Sequence, residues 1–508
     1  MIASDLPTML RRAACRWPDR PFLRWSDRGR VLTFAETDAQ SDRAAAALSA
    51  LGVGAGDRVG LLAHNGLDYI VAMFAAWKLG AMSAHISVQV ADQLADYARD
   101  CEPSVLVYTH DLHDAVERAL PTMASVRHLV CMDGPKPGAL GWGDILAAAD
   151  ASAVPRVSID EAMPFHLSFT SGSTGRPKAA VLSHGSTARA SACIAERLGL
   201  GRDDASLGAT SPASSYGLVA NLLPAVHVGM TVGLRSRWDV SAVFDDMEAN
   251  TVTYLPANPI LLSDMLQESR RRGAPPASLR LVVSGGAAVP FDLKRAYFDE
   301  LGVAFSESYG QSELGGFVAL GRPARESDDR VRAVGQPLPD KEVAVLDEAG
   351  VEVPVGMPGE LCIRGGYMWG YWGQPAKTAE AIHDGWLHTG DLGSMDADGY
   401  VSTLGRWSDR IVCAGETVFP RPIEEMLQSD ARIRFAAVIA IANGAGEPQP
   451  AAIVELFEAG SADAATLLGA YRAAGGDLRL ARIEVVDSIP QTPTGKLDKI
   501  TLRQQFSR

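Results

Sequence analysis

The sequence predicts an α/β protein. A large N-terminal domain of layered sheets and helices, with a β-rich subdomain, is followed by a small α+β C-terminal domain joined by a hinge. Three observations carry this expectation. The chain has 508 residues, and single cores rarely grow past roughly 250–300 residues. Strand-like and helix-like patterns alternate through its first part, as α/β layers require. After Val331 the pattern turns to short strands between glycine turns, and then to a region with strands and helices of its own.

Each element has its own signal. SDRAAAALSAL over 41–51 reads as a helix, with Asp38 or Ser41 as its cap. A turn cluster follows over 52–57, then a strand over 58–62, a helix over 67–79 and a strand over 105–108. A strand at 165–167 leads into a loop rich in Gly, Ser and Thr, and βα units continue to 280–283. VAVLD, GELCIRG and YVSTLGR read as short strands of a β-rich unit. Beyond it, AAVIAIA and AAIVELF read as strands, PIEEMLQ and AATLLGAYRAAG as helices. The expected domains are 1–405 and 406–508, with the hinge near 405–409.

Composition narrows the function. With 47 basic and 61 acidic residues the formal charge is −14, so nucleic acid and anionic membrane are not expected partners. An anionic substrate needs its own cationic pocket. The six cysteines, at 15, 101, 131, 193, 362 and 413, include no CxxC pair, which points to reduced thiols and a cytoplasmic setting. The start, MIASDLPTMLRRAACRWPDR, has no apolar run after its arginines, so no secretory leader is expected. Asn221, Pro224 and His227 interrupt the apolar stretch over 218–234, which reads as buried helix and strand, not a membrane span.

The strongest motif is Thr170-Ser171-Gly172-Ser173-Thr174-Gly175-Arg-Pro-Lys178. Glycines let backbone N–H groups turn toward an anion, hydroxyls add donors and Lys178 adds charge, which is what a polyphosphate requires. Pro177 stands where a Walker A loop needs its second glycine. A flexible surface turn is the alternative on composition alone.

TSGSTGRPKAAVLSH resembles the phosphate loop of the adenylate-forming superfamily, which includes acyl- and aryl-CoA synthetases, stand-alone adenylation domains and luciferases. Further motifs occur in the family's order: Ser308-Tyr-Gly-Gln-Ser-Glu313, His388-Thr-Gly-Asp391, Gly405-Arg406 through Pro420, and Pro493-Thr-Gly-Lys496. The resemblance spans residues 5 to 505. It implies two half-reactions: a carboxylate attacks the α-phosphorus of ATP to give an acyl-adenylate and pyrophosphate, then a thiol displaces AMP.

The resemblance also implies roles. The 170–178 loop would hold the β- and γ-phosphates. Tyr309 would offer a flat face to adenine, with Gly310 allowing close approach, and Ser312 would donate to the α-phosphate. Glu313 is a single carboxylate suited to Mg²⁺, which takes few protein ligands. Asp391 would accept the ribose hydroxyls, with Arg406 nearby, and Gly286, Ala287, Glu307 and Ser308 would complete the nucleotide site. Lys496 is the expected catalytic residue with Lys178, since its ammonium can meet the attacking carboxylate and the α-phosphate together. Gly415 would leave room for a pantetheine arm once the C-terminal domain swings.

Four positions depart from the family pattern: Ala179, the segment SPASSYGL, Ala84-His85-Ile86-Ser87, and Ser408 at the hinge. By family position, Ser214, Tyr216, Asn221, Gly285 and Gly310 should line the acid pocket. Hydroxyls there would favour a hydroxylated or aminated aromatic acid, unless they face backbone. The expectation is an acid–CoA ligase using ATP, Mg²⁺ and CoA on a small-molecule acid. Loading of a carrier protein, activation of an oxyanion such as nitrite, and a non-catalytic nucleotide-binding role remain open. So does a homodimer.

Overall fold

The structure is a computed structural model and describes residues 5–170, 178–208, 214–324, 329–413, 415–443, 446–491 and 497–506. The helix Phe34–Ala50 starts well before the expected position 41. The cause is local. Thr33 Oγ1 accepts from the Glu36 amide at 3.1 Å, while the Glu36 carboxylate accepts from the Thr33 amide at 2.8 Å. This reciprocal cap satisfies two otherwise orphaned N–H groups. Asp38, expected as a cap, lies inside the helix and takes the Lys78 ammonium at 2.6 Å. Ser41 donates to the Asp38 carbonyl at 2.8 Å.

Among the described residues two large sheets form the N-terminal part. The seven-stranded sheet runs in the order Leu140–Gly141, His128–Cys131, Val105–Tyr108, Arg58–Leu62, Met82–His85, Pro164–Thr170, Lys178–Ser183. It is parallel except for the last pair, which is antiparallel and sets Thr170 opposite Lys178. Consecutive parallel strands need crossovers, and helices such as Leu67–Lys78 supply them. That helix is buried all along its length, as expected for one packed between layers.

The nine-stranded sheet has a parallel centre containing Tyr254–Pro256, Leu281–Ser284 and Ala304–Gln311. The last of these turns back as a hairpin into Gly316–Leu320. One apolar core joins both sheets and reaches Leu361, Ile363 and Val401 of the β-rich unit. The apolar stretch over 218–234 is absorbed there, and its strand Thr231–Leu234 is fully buried. No helix among the described residues is long and apolar enough to cross a membrane. All six cysteines are free thiols.

The β-rich unit is a five-stranded antiparallel sheet that includes Gly359–Arg364, Trp386–Met395 and Val401–Arg406. After it, Ile433–Ala442, Pro448–Leu456 and Arg482–Val486 form a three-stranded sheet. Its two faces carry separate apolar clusters, one under helix Pro420–Gln428 and one under helix Lys499–Phe506. Ile260 packs on the second cluster, and Arg434 lies 3.2 Å from Asp264. These contacts join the last hundred or so residues to helix Pro259–Arg272, and a cleft remains between.

Candidate active site

That cleft is a cavity of about 1050 Å³. On its wall stands Asp391, on strand Trp386–Met395 directly opposite Arg406. Its Oδ2 accepts from the Tyr309 hydroxyl at 2.8 Å and from Gln311 Nε2 at 2.6 Å. Its Oδ1 lies 2.8 Å from Arg406 Nε. Burial and the Asp391 charge push the Tyr309 phenol well above its usual range, which keeps it a donor. A carboxylate offers about four acceptor positions. Three are engaged here, so accepting both hydroxyls of a ribose requires one of these donors to move. Glu360 braces the turn: its Oε1 accepts from the Gly390 amide at 2.9 Å, and its Oε2 lies 2.9 Å from His388 Nδ1.

Thr170 and Lys178, paired across the last two strands of the seven-stranded sheet, are also on the cavity wall. Lys178 Nζ sits 4.9 Å from the centre of the Tyr371 ring, a cation–π contact. The Tyr371 hydroxyl donates to Glu313 Oε1 at 2.9 Å, and the Glu313 carbonyl accepts from the Met368 amide at 2.7 Å. Ser312 accepts from Ser215 at 3.2 Å. Gly310 passes so close to the hairpin partner that a Cβ there would stand 1.9 Å from the Gly316 carbonyl oxygen. Only glycine lets this strand and the turn after it bring Tyr309 and Glu313 to the same cavity.

Ser214, Tyr216, Gly285, Gly286, Ala287 and Phe317 also line the wall. The Tyr216 hydroxyl donates to the Val283 carbonyl at 2.8 Å, so its ring rather than its oxygen faces the space. The Tyr216 and Phe317 ring centres are 5.3 Å apart. Ser214 caps a short helix by accepting from the Gly217 amide at 3.0 Å. Asn221 does not reach the cavity. It is buried with its Oδ1 accepting from Ser206 at 2.5 Å. Ser308 lines the wall and donates to the Ser284 carbonyl at 3.1 Å. Glu307 also reaches the wall, and Lys294 and Arg421 flank its buried carboxylate, Arg421 at 3.5 Å.

Residues 171–177, with Ser171, Gly172, Ser173, Thr174 and Gly175, lie outside the described residues, as does Lys496. Leu497, Lys499 and Arg503, just past Lys496, line the same cavity as Asp391 and Glu313. Gly415 is exposed on the hairpin of Ile411–Cys413 with Glu416–Val418, away from that cavity. Among the described residues eight lysines and arginines reach the cleft, Lys178, Arg406 and Lys499 among them, beside ten aspartates and glutamates. The wall is therefore not cationic overall: Arg406, Lys499 and Arg503 are paired with Asp391, Glu424 and Asp409, and the positive charge expected for an anionic substrate is local, as at Lys178. Sequence reading missed Gln311, Glu360 and Tyr371. Gln311 lies inside the Ser308–Glu313 motif. Tyr371 carries no local signal.

A family model described as AMP-binding enzyme matches residues 10–372. The chain belongs to the AMP-binding enzyme family. It is an ATP-dependent, adenylate-forming ligase of the superfamily that its motifs resemble. Among curated relatives, a feruloyl-CoA synthase from Amycolatopsis sp. is 32% identical over 484 residues, covering 94% of each chain. An indoleacetate–CoA ligase from Aromatoleum aromaticum is 28% identical over 508 residues, covering 99% of this chain and 98% of its own. The fold matches the anthranilate CoA ligase AuaEII in complex with anthranoyl-AMP, with a TM-score of 0.92 at 24% identity over 99% and 97% of the two chains. It also matches the amide bond synthetase McbA from Marinactinospora thermotolerans, with a TM-score of 0.87 at 27% identity over 99% and 100%.

Proposed function

We propose that this ligase activates an aromatic carboxylic acid with ATP and transfers the acyl group to CoA. The observation that carries the reading is the convergence on one cavity of Asp391, Glu313 and Lys178 with the Tyr216–Phe317 aromatic wall. Asp391 takes the ribose and Tyr309 flanks the adenine. Lys178 neutralises the phosphates as the acid oxygen bonds to the α-phosphorus and the bond to pyrophosphate breaks. A CoA thiolate then attacks the acyl carbon, and AMP leaves.

The donor set fits Mg²⁺. Glu313 is an all-oxygen ligand on the cavity wall, fixed by the Tyr371 hydroxyl, and Mg²⁺ pairs one or two carboxylates with phosphate oxygens and water. When bound it would supply charge neutralisation at the phosphates. The assignment of 1–405 as the nucleotide and acid domain and 406–508 as a mobile domain belongs to the same proposal. Lys496 would serve adenylation, and the Gly415 face would serve thioester formation. The aromatic preference is supported by the Tyr216 and Phe317 rings and by the named substrates of the relatives.

Acid-dependent ATP–pyrophosphate exchange tests this, run with hydroxylated and aminated aromatic acids, fatty acids and nitrite, with and without CoA. Aromatic acids should support exchange and yield thioester when CoA is added. Exchange only with fatty acids or nitrite, or exchange without any thioester, would overturn the reading. The likeness to an amide bond synthetase makes an amine the second acceptor to include in that screen.

A further inference from the structure

We propose that Lys341 is a positioning residue for adenylation: its buried ammonium acts as a built-in monovalent cation that clamps the Glu313 turn to the segment 365–371. This rests on the assignment of Glu313 to the metal. The Lys341 side chain is 1% exposed. Its Nζ donates to the carbonyls of Leu314 at 3.2 Å, Gly365 at 3.3 Å and Gly366 at 2.5 Å. Asp340 Oδ2 lies 3.9 Å away, and both Asp340 carboxylate oxygens are buried without a hydrogen bond among the described residues. Burial pulls the ammonium down to about 8, against the opposing pull of Asp340. A buried charge is costly to keep, and this one reaches no solvent.

The three carbonyls belong to the two segments that hold Glu313. Leu314 is its neighbour on the 312–314 turn. Gly365 and Gly366 begin the stretch whose Met368 amide and Tyr371 hydroxyl bond the Glu313 carbonyl and carboxylate. Gly366 has φ +57°, and a Cβ there would stand 2.3 Å from Lys341 Nζ. The chain is therefore shaped to close around the ammonium. Carbonyl and carboxylate oxygens so arranged are the ligand set of K⁺ or ammonium.

The lysine is not in the cavity, so it acts through Glu313 and not on substrate. Removing it should let the turn drift, and small misplacements of a positioned group cost up to about 100-fold in rate. Lys341→Ala should adenylate about 10- to 100-fold more slowly and need more Mg²⁺. Ammonium or K⁺ should restore part of the rate by entering the opened oxygen cage, whereas tetramethylammonium at equal ionic strength should not. Lys341→Met fills the space without charge, so it should be slow, need more Mg²⁺ and resist rescue.

Melting curves check folding, and if the alanine variant does not fold, the methionine variant decides by its Mg²⁺ requirement. A methionine variant with normal rate and Mg²⁺ dependence, or a folded alanine variant that cations do not restore, would overturn the clamp. Glu313→Gln is run alongside. A normal rate there overturns the metal assignment and the clamp with it. A slow Glu313→Gln beside an unaffected Lys341→Met overturns the clamp alone.

Discussion

Glu313 keeps its place through the Tyr371 hydroxyl and the Met368 amide, so its charge can be removed without its shape. In Glu313→Gln, adenylation measured by pyrophosphate exchange should fall roughly 100-fold, the scale of one lost electrostatic contact in the transition state. Added Mg²⁺ should recover part of the loss by mass action. Two histidines remote from the cleft set a different sensitivity. Burial holds His166 at about 3 and His184 at about 4, and Nε2 of each has no partner among the described residues. Both are neutral when folded and take a proton near 6.5 when unfolded. Their contribution is therefore present above 6.5 and lost as pH falls toward the folded values. Between pH 7 and 5 each should cost on the order of 2 kcal/mol of stability, and a falling thermal midpoint over that range checks it. Glu313 and Asp391, which share one cavity, could be picked out as candidates because short motifs carry them. Tyr371 could not, because only the folded return of the chain brings it to Glu313. The Tyr216 hydroxyl was legible as a polar group but not as one already spent on the Val283 carbonyl.

The hairpin of Ile411–Cys413 and Glu416–Val418 presents Gly415 to solvent with φ +81°, and a Cβ there would meet nothing within 4 Å. A larger residue is strained at that backbone angle but does not collide, so Gly415→Leu should fold. It should leave pyrophosphate exchange nearly unchanged and slow thioester formation from supplied acyl-adenylate. Equal effects on both steps would place the thiol path elsewhere. Elements whose signal is local periodicity were readable: Leu67–Lys78 and Val105–Tyr108 stand within a residue of their expected bounds. The start of Phe34–Ala50 was not, although Thr33 and Glu36 spell a capping box, because Asp38 and Ser41 offered competing caps. Sheet order could not be read at all. Nothing in the local pattern says that Pro164–Thr170 pairs with Met82–His85 rather than with a nearer strand.

At the scale of the molecule, one cleft brings Lys178, Glu313 and Asp391 together, and the residues after 406 close it. Arg434 with Asp264 and Arg421 with Glu307 tie the two parts together in this arrangement. Gly415 faces away from the cavity, while Leu497, the neighbour of Lys496, lines it. In the proposed mechanism this orientation would serve adenylation and a second one thioester formation. The division of labour is tested most directly by Lys496→Ala assayed separately in each half-reaction. Pyrophosphate exchange should be nearly abolished while thioester formation from supplied acyl-adenylate and CoA continues near the normal rate. Equal loss in both half-reactions would contradict it.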